Sequence, residues 1–213
     1  MCGLTAGFAA AEAGPAAGPL QVSKENPRYF ADAGSRIVYL TGAHTWPNLR
    51  DMGHTDPSAP FDWPGYLDFL THRHHNFIRL WTWDLARHVD KSGEVVCTSP
   101  SPWPRAGPLK ALDGEPRFDL SRFEQSYFDR LRERVQSAGR RGIYVSIMLF
   151  EGWGVQFAGE AWAGHPCNAA NNANGLDGDP DRVGKGLAVY TLGVPAVTHV
   201  QEAYEATSVV SQQ

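Results

Sequence analysis

The stretch Asn76-Phe77-Ile78-Arg79-Leu80-Trp81-Thr82-Trp83-Asp84 decides the fold of this 213-residue chain. After Asn76, the residues Phe77, Ile78, Leu80 and Trp81 make a near-continuous apolar run, which fits a strand covered on both faces and paired in parallel. Just before it the pattern predicts a helix ended by Asn76. Asp62 starts that helix, Pro64 sits in the first turn where its missing N–H costs nothing, and Trp63, Tyr66, Leu67, Phe69 and Leu70 form the apolar face. Downstream, Asp119 or Ser121 is expected as the cap of a second helix, with Glu124 completing a capping box and Phe123, Tyr127, Leu131 and Val135 four residues apart. Gly139 and Gly142 stop it. Residues 143–150 then read as another buried strand, and a further helix is expected near Thr198 with Val200, Ala203 and Tyr204 inward.

Upstream, turns at Glu25-Asn26-Pro27 and Asp32-Ala33-Gly34 predict a hairpin that feeds a buried strand at Ile37, Val38, Tyr39 and Leu40. Strand and helix therefore alternate, and right-handed crossovers put such strands parallel in one sheet. The expected fold is α/β: a partial (β/α) TIM-type barrel of three to four βα units behind an N-terminal β-hairpin. Residues 1–18 are expected to be disordered, 19–204 to form the barrel part, and 205–213 to be a divergent tail. The strand after Gly142 would leave an open sheet edge near Val145 and Ile147, which makes self-association an expectation.

Connection lengths separate the two ends of this sheet. Helix-to-strand links at Asn76 and around Gly142 take about one to four residues, whereas strand-to-helix links run to roughly 35 residues after Trp83 and over about 40 after Phe150. Barrel enzymes keep their sites on loops at the carboxyl ends of strands. The three strand ends carry Thr41-Gly42-Ala43-His44-Thr45-Trp46, Arg79-Leu80-Trp81-Thr82-Trp83-Asp84 and Phe150-Glu151-Gly152-Trp153. His44, Trp46, Arg79, Trp81, Trp83, Asp84, Glu151 and Trp153 are thus the candidate binding residues, since Trp faces stack on sugar rings and the charged groups bond to hydroxyls. The structural alternative makes Trp81 and Trp83 core residues and pairs Arg79 with a nearby carboxylate.

Composition narrows the partners. Net charge is -4 with scattered Lys and Arg, so no basic patch exists to neutralise phosphates, and nucleic acid is not expected. No stretch approaches the roughly 20 apolar residues that span a bilayer, so a soluble chain is expected. Residues 1–20 carry no Lys or Arg and are interrupted by Glu12, a poor secretory signal that leaves the compartment open. Cys2, Cys97 and Cys167 show no metal-ligand spacing and allow at most one bridge. His72, His74 and His75 lie at the end of the first helix, away from the predicted cleft, where cations favour the helix dipole. Residues 174–181 carry oxygen ligands at short spacing but no Glu at the distance of an EF-hand, so a series of Asn/Asp/Gly turns is expected. Neither a metal nor another cofactor is expected.

Taken together, Asn26-Pro27-Arg28-Tyr29-Phe30, the run from Tyr39 to Trp46, Asn76 to Trp81 and Phe150 to Trp153 resemble bacterial cellulase-like glycoside hydrolases of the retaining (β/α)8 clan. The Asn-rich loop with His165, Pro166, Asn168, Asn171, Asn172, Asn174 and Gly175 is similar to an insertion in members of that group. The resemblance implies cleavage by two carboxylates about 5 Å apart, through a glycosyl-enzyme intermediate. It also implies an acid/base Glu after an Asn at the end of strand four and a nucleophile ending strand seven. No Asn-Glu pair occurs in the chain, which departs from the family pattern near Glu205. By this resemblance Arg79 corresponds to the clan's Arg at the end of strand two, a group that would hold a carboxylate ionised and oriented. Asp84 and Glu151 are a weaker candidate pair for acid and base. The expected function is a glycoside hydrolase-like protein, here an N-terminal part without the catalytic pair and inactive alone. The alternatives are a non-catalytic carbohydrate-binding or vestigial protein and a truncated product with no function of its own.

Overall fold

A computed structural model describes residues 14–148 and 161–179. Glu151, Trp153, the helix expected near Thr198 and the tail at 205–213 lie outside the described residues. The fold class is α/β, and its centre forms where the sequence analysis places it. Helix α1 (Trp63–His72) begins as Asp62 accepts the Gly65 N–H at 3.0 Å with Pro64 in the first turn. Strand β5 (Phe77–Trp81) follows, and it pairs in parallel with β10 (Tyr144–Met148) in the register Ile78 to Val145 and Leu80 to Ile147.

Between these strands runs α2 (Gln125–Arg140), whose start differs from expectation. Asp119 and Ser121 close a turn of their own, because the Ser121 N–H and hydroxyl both donate to Asp119 Oδ1. The cap is Glu124 itself, which accepts the Ser126 N–H at 3.4 Å and its hydroxyl at 3.0 Å, placing a carboxylate at the helix's positive end. Gly139 stays inside the last turn, and Gly142 (φ 75°) makes the stop. A left-handed φ suits a residue without Cβ.

One face of β5 meets the helices and the other does not. Ile78 and Leu80 are buried against Trp63, Leu67 and Leu70 of α1 and Tyr127, Leu131 and Ala138 of α2. Trp63 Nε1 donates to Ser137 Oγ at 2.8 Å and ties the two helices. Arg79 on the opposite face is exposed, so the expected cover on both faces is corrected to one. Closure of a barrel would cover that second face, and among the described residues no barrel closes.

The expected first parallel strand is also corrected. β1 (Gln21–Val22), β2 (Phe30–Ala31) and β3 (Ile37–Val38) form a small antiparallel meander in which Ile37 is exposed, and Tyr39 beyond it is 80% exposed. Asn76 explains this. Its side chain donates to the Tyr39 carbonyl and accepts the Thr41 N–H, both at 2.9 Å, which pins this backbone beside β5 and leaves the Tyr39 side chain outward. The Thr41 carbonyl then accepts the N–H groups of Asn76 and Phe77, and no ladder follows. Gly42 is required there, because a Cβ would overlap the Phe77 carbonyl oxygen. The stretch expected to be disordered through residue 18 is seated at its end, where the Ala16 N–H donates to the Gly139 carbonyl at 2.8 Å.

The long connections are not structureless. β4 (Asp51–Gly53), β6 (Arg87–Val89) and β7 (Val95–Ser99) form an antiparallel sheet in the order β4-β7-β6. β8 (Arg105–Lys110) and β9 (Pro116–Phe118) make a hairpin. Gly93 (φ 85°) and Gly114 (φ 84°) sit in the two tight turns. Arg130 of α2 bonds Asp51 of β4 at 2.9 Å, joining this extension to the helical layer. Among the described residues no helix is long and apolar enough to cross a membrane.

Candidate functional site

Four rings meet at the carboxyl end of β5. Trp46 lies 4.4 Å from Trp81 and 5.5 Å from Trp83 between ring centroids, and His44 lies 5.3 Å from Trp46 and 5.2 Å from Trp81. Trp81 Nε1–H donates to His44 Nδ1 at 3.0 Å, which fixes the neutral imidazole with its proton on Nε2. Desolvation, and then the neighbouring Arg79 charge, hold the His44 pKa below the ordinary histidine value and so favour that state. Trp46 is 47% exposed whereas Trp83 is 5% exposed. Trp46 therefore presents a face to solvent, and Trp83 supports the cluster from below.

Local chemistry explains why these rings converge. Trp46 opens a short 3-10 turn (Trp46–Asn48), and the buried Asn48 side chain bridges to β5, donating to the Arg79 carbonyl and accepting the Trp81 N–H. Arg50, fully buried, donates to the carbonyls of Trp83, Leu85 and Thr98. Trp83 takes a left-handed φ of 47°, a costly conformation for a bulky residue, and the Arg50 bond to its carbonyl helps hold it. Asn48, Leu49, Arg50 and Asp51 are all buried, although three of the four are polar. Polarity signals a loop only when the groups face water, and here they satisfy a buried backbone.

The other candidates divide. Arg79 projects from the exposed position of β5, and among the described residues it forms no ion pair, so the carboxylate pairing of the structural alternative is absent there. Asp84 is half-buried, and its charge acts on Tyr127 and Cys167, raising both pKa values further after desolvation. His72 and His74 are exposed at the end of α1.

A cavity of about 620 Å³ opens within the antiparallel extension, lined by Asp56, Arg87, Cys97, Trp103, Glu115 and Glu124 among others. Among the described lining residues, Asp56, Asp113, Glu115 and Glu124 outnumber Arg87 and Arg105, and Arg105 is committed to Asp113 and lies 3.9 Å over the Phe118 ring. Burial, then the Asp56 charge, push the Cys97 thiol pKa up, so this thiol is no ready nucleophile. Sequence reasoning missed the cavity, because its walls come from hairpins hidden in one long connection. The Asn-rich loop beside it is structural. Asn172 donates to the carbonyls of Pro166, Asn168 and Leu176 and accepts the Leu176 N–H, while Asn171 and Asn174 accept the N–H groups of Leu112 and Leu120. Asp177 accepts the Asp179 N–H, a local turn of the kind expected.

Fold and site thus define a mixed α/β protein with an aromatic cluster at the carboxyl end of a parallel strand. Comparison with protein-family models, curated proteins and solved structures found no match.

Proposed function

We propose that this chain binds carbohydrate at the His44–Trp46–Trp81–Trp83 cluster, and that it is the N-terminal part of a cellulase-like glycoside hydrolase built on a (β/α) barrel. The observation that carries the reading is the half-exposed Trp46 ring packed at 4.4 Å on Trp81, beside the exposed Arg79 position at the carboxyl end of a parallel strand. An aromatic face removes the apolar face of a sugar from water, and a guanidinium donates to hydroxyls in a fixed fork. The barrel reading draws on the parallel β5–β10 pair, whose one face is covered by α1 and α2 while Phe77, Arg79 and Trp81 alternate onto the other. No Asn-Glu dipeptide stands in the sequence, so the role proposed for these residues is binding and orientation, with cleavage of a polysaccharide by double displacement assigned to relatives that carry the pair.

Calorimetric titration with cello-oligosaccharides tests this. Binding that weakens in Trp46→Ala by about 1 to 3 kcal/mol, the value of a lost stacking face, supports the cluster. Equal affinity in both proteins removes it. Turnover of an activated aryl glycoside by the chain would replace binding with catalysis. The proposal includes self-association along β10 near Val145 and Ile147, seen as a sedimentation coefficient that rises with concentration; a constant monomer value would exclude it.

A further inference from the structure

Away from the ring cluster, His54 meets the β6–β7 turn. Its Nε2 lies 3.7 Å from Asp90 Oδ2 and its Nδ1 lies 3.9 Å from Glu94 Oε2, both longer than hydrogen bonds. Three ligand types from two separate chain segments, the residue after β4 and the turn after β6, bring one atom each to within 4.8 Å of one another.

We propose that His54, Asp90 and Glu94 form a binding site for a zinc-class divalent cation, with solvent completing the coordination. Zinc–nitrogen and zinc–oxygen bonds of about 2.0 to 2.2 Å in a tetrahedron set neighbouring ligand atoms roughly 3.4 Å apart. The 3.7 Å between Nε2 and Asp90 Oδ2 is therefore close to the edge of a coordination polyhedron, while the exposed Glu94, whose Oε2 lies 3.9 Å from Nδ1, would turn its carboxylate toward Nε2 to complete the set. Histidine ligands usually turn their second ring nitrogen to a carbonyl or carboxylate, and His54 Nδ1 lies 3.2 Å from the Val95 carbonyl oxygen. That bond puts the proton on Nδ1 and the free lone pair on Nε2, on the Asp90 side. Asp90 is prepared as well: the Ser92 N–H, the Ser92 hydroxyl and the Glu94 N–H all bind Oδ1, leaving Oδ2 toward His54. An imidazole with two carboxylates favours zinc and cobalt over calcium, which takes oxygen ligands alone. A bound ion would pin the chain after β4 to the β6–β7 hairpin.

The test uses the full chain, stripped with a chelator and titrated with Co²⁺ followed by its visible absorption, then by Zn²⁺ competition. Saturation at one ion per chain is expected, with a rise in melting temperature. Loss of a ligand should weaken binding by more than about tenfold, the lower end for losing even an outer-shell partner. His54→Ala and Glu94→Gln should both show this, and His74→Ala should not. Glu94→Gln alters an exposed side chain and should melt like the parent in chelator, which separates ligand loss from misfolding. Absence of Co²⁺ binding by the parent chain, retention of full affinity in both ligand variants, or its loss in His74→Ala would overturn the proposal.

Discussion

Arg50 carries more of the site than any ring does. Its guanidinium lies in the interior and bonds three carbonyls, among them that of Trp83 in its left-handed conformation. Replacement by Met keeps the stem and removes every donor. Each buried carbonyl left without a partner costs about 1 to 3 kcal/mol, so Arg50→Met should lower stability by about 3 kcal/mol or more. A urea midpoint equal to the parent's would contradict this. His165 acts differently. Its Nδ1 accepts the Cys167 N–H at 3.0 Å, its ring stacks on Trp162 at 4.8 Å, and burial lowers its pKa to about 3 from the ordinary 6.5. Between those values the unfolded chain binds a proton that the folded chain refuses. The stability it contributes is complete above about pH 6.5 and is lost progressively as pH falls toward 3. His165→Gln should flatten that part of a stability–pH curve measured by denaturant; an unchanged slope would place the titration elsewhere.

At the scale of elements, the sequence was legible where local pattern and tertiary packing agree. α1 was readable from Asp62, Pro64 and its apolar face, and β5 from its apolar run, since burial rewards the same residues that periodicity marks. The cap of α2 was misplaced because Asp119 and Ser121 satisfy each other one turn early. The run at Ile37 to Leu40 has a core-like composition but lies where Asn76 draws its backbone, a contact between residues distant in sequence. The extension was missed although Gly93 and Gly114 each mark a hairpin turn. β6 and β9 are three residues each, too short for alternation to stand out. Within the candidate site, His44, Trp46, Trp81 and Trp83 were readable as strand-end residues and do come together. Asn48 and Arg50, which position them, carry no periodic or motif signal, because their bonds run to backbone more than 30 residues away. Glu151 and Trp153 lie outside the described residues.

At the scale of the molecule, two regions compete as the place where a small ligand docks. One is the open ring cluster on β5; the other is the 620 Å³ cavity whose wall includes Trp103. Both contain an indole N–H, which makes them separable by one spectrum. With the chain labelled in its tryptophans and the signals assigned by single Trp→Phe variants, a cello-oligosaccharide is titrated while the indole Nε1–H resonances are followed. The account predicts that the Trp46 and Trp81 signals move in step with saturation while Trp103 stays in place. Movement of Trp103 with Trp46 and Trp81 unshifted would put the ligand in the cavity and contradict the cleft on β5.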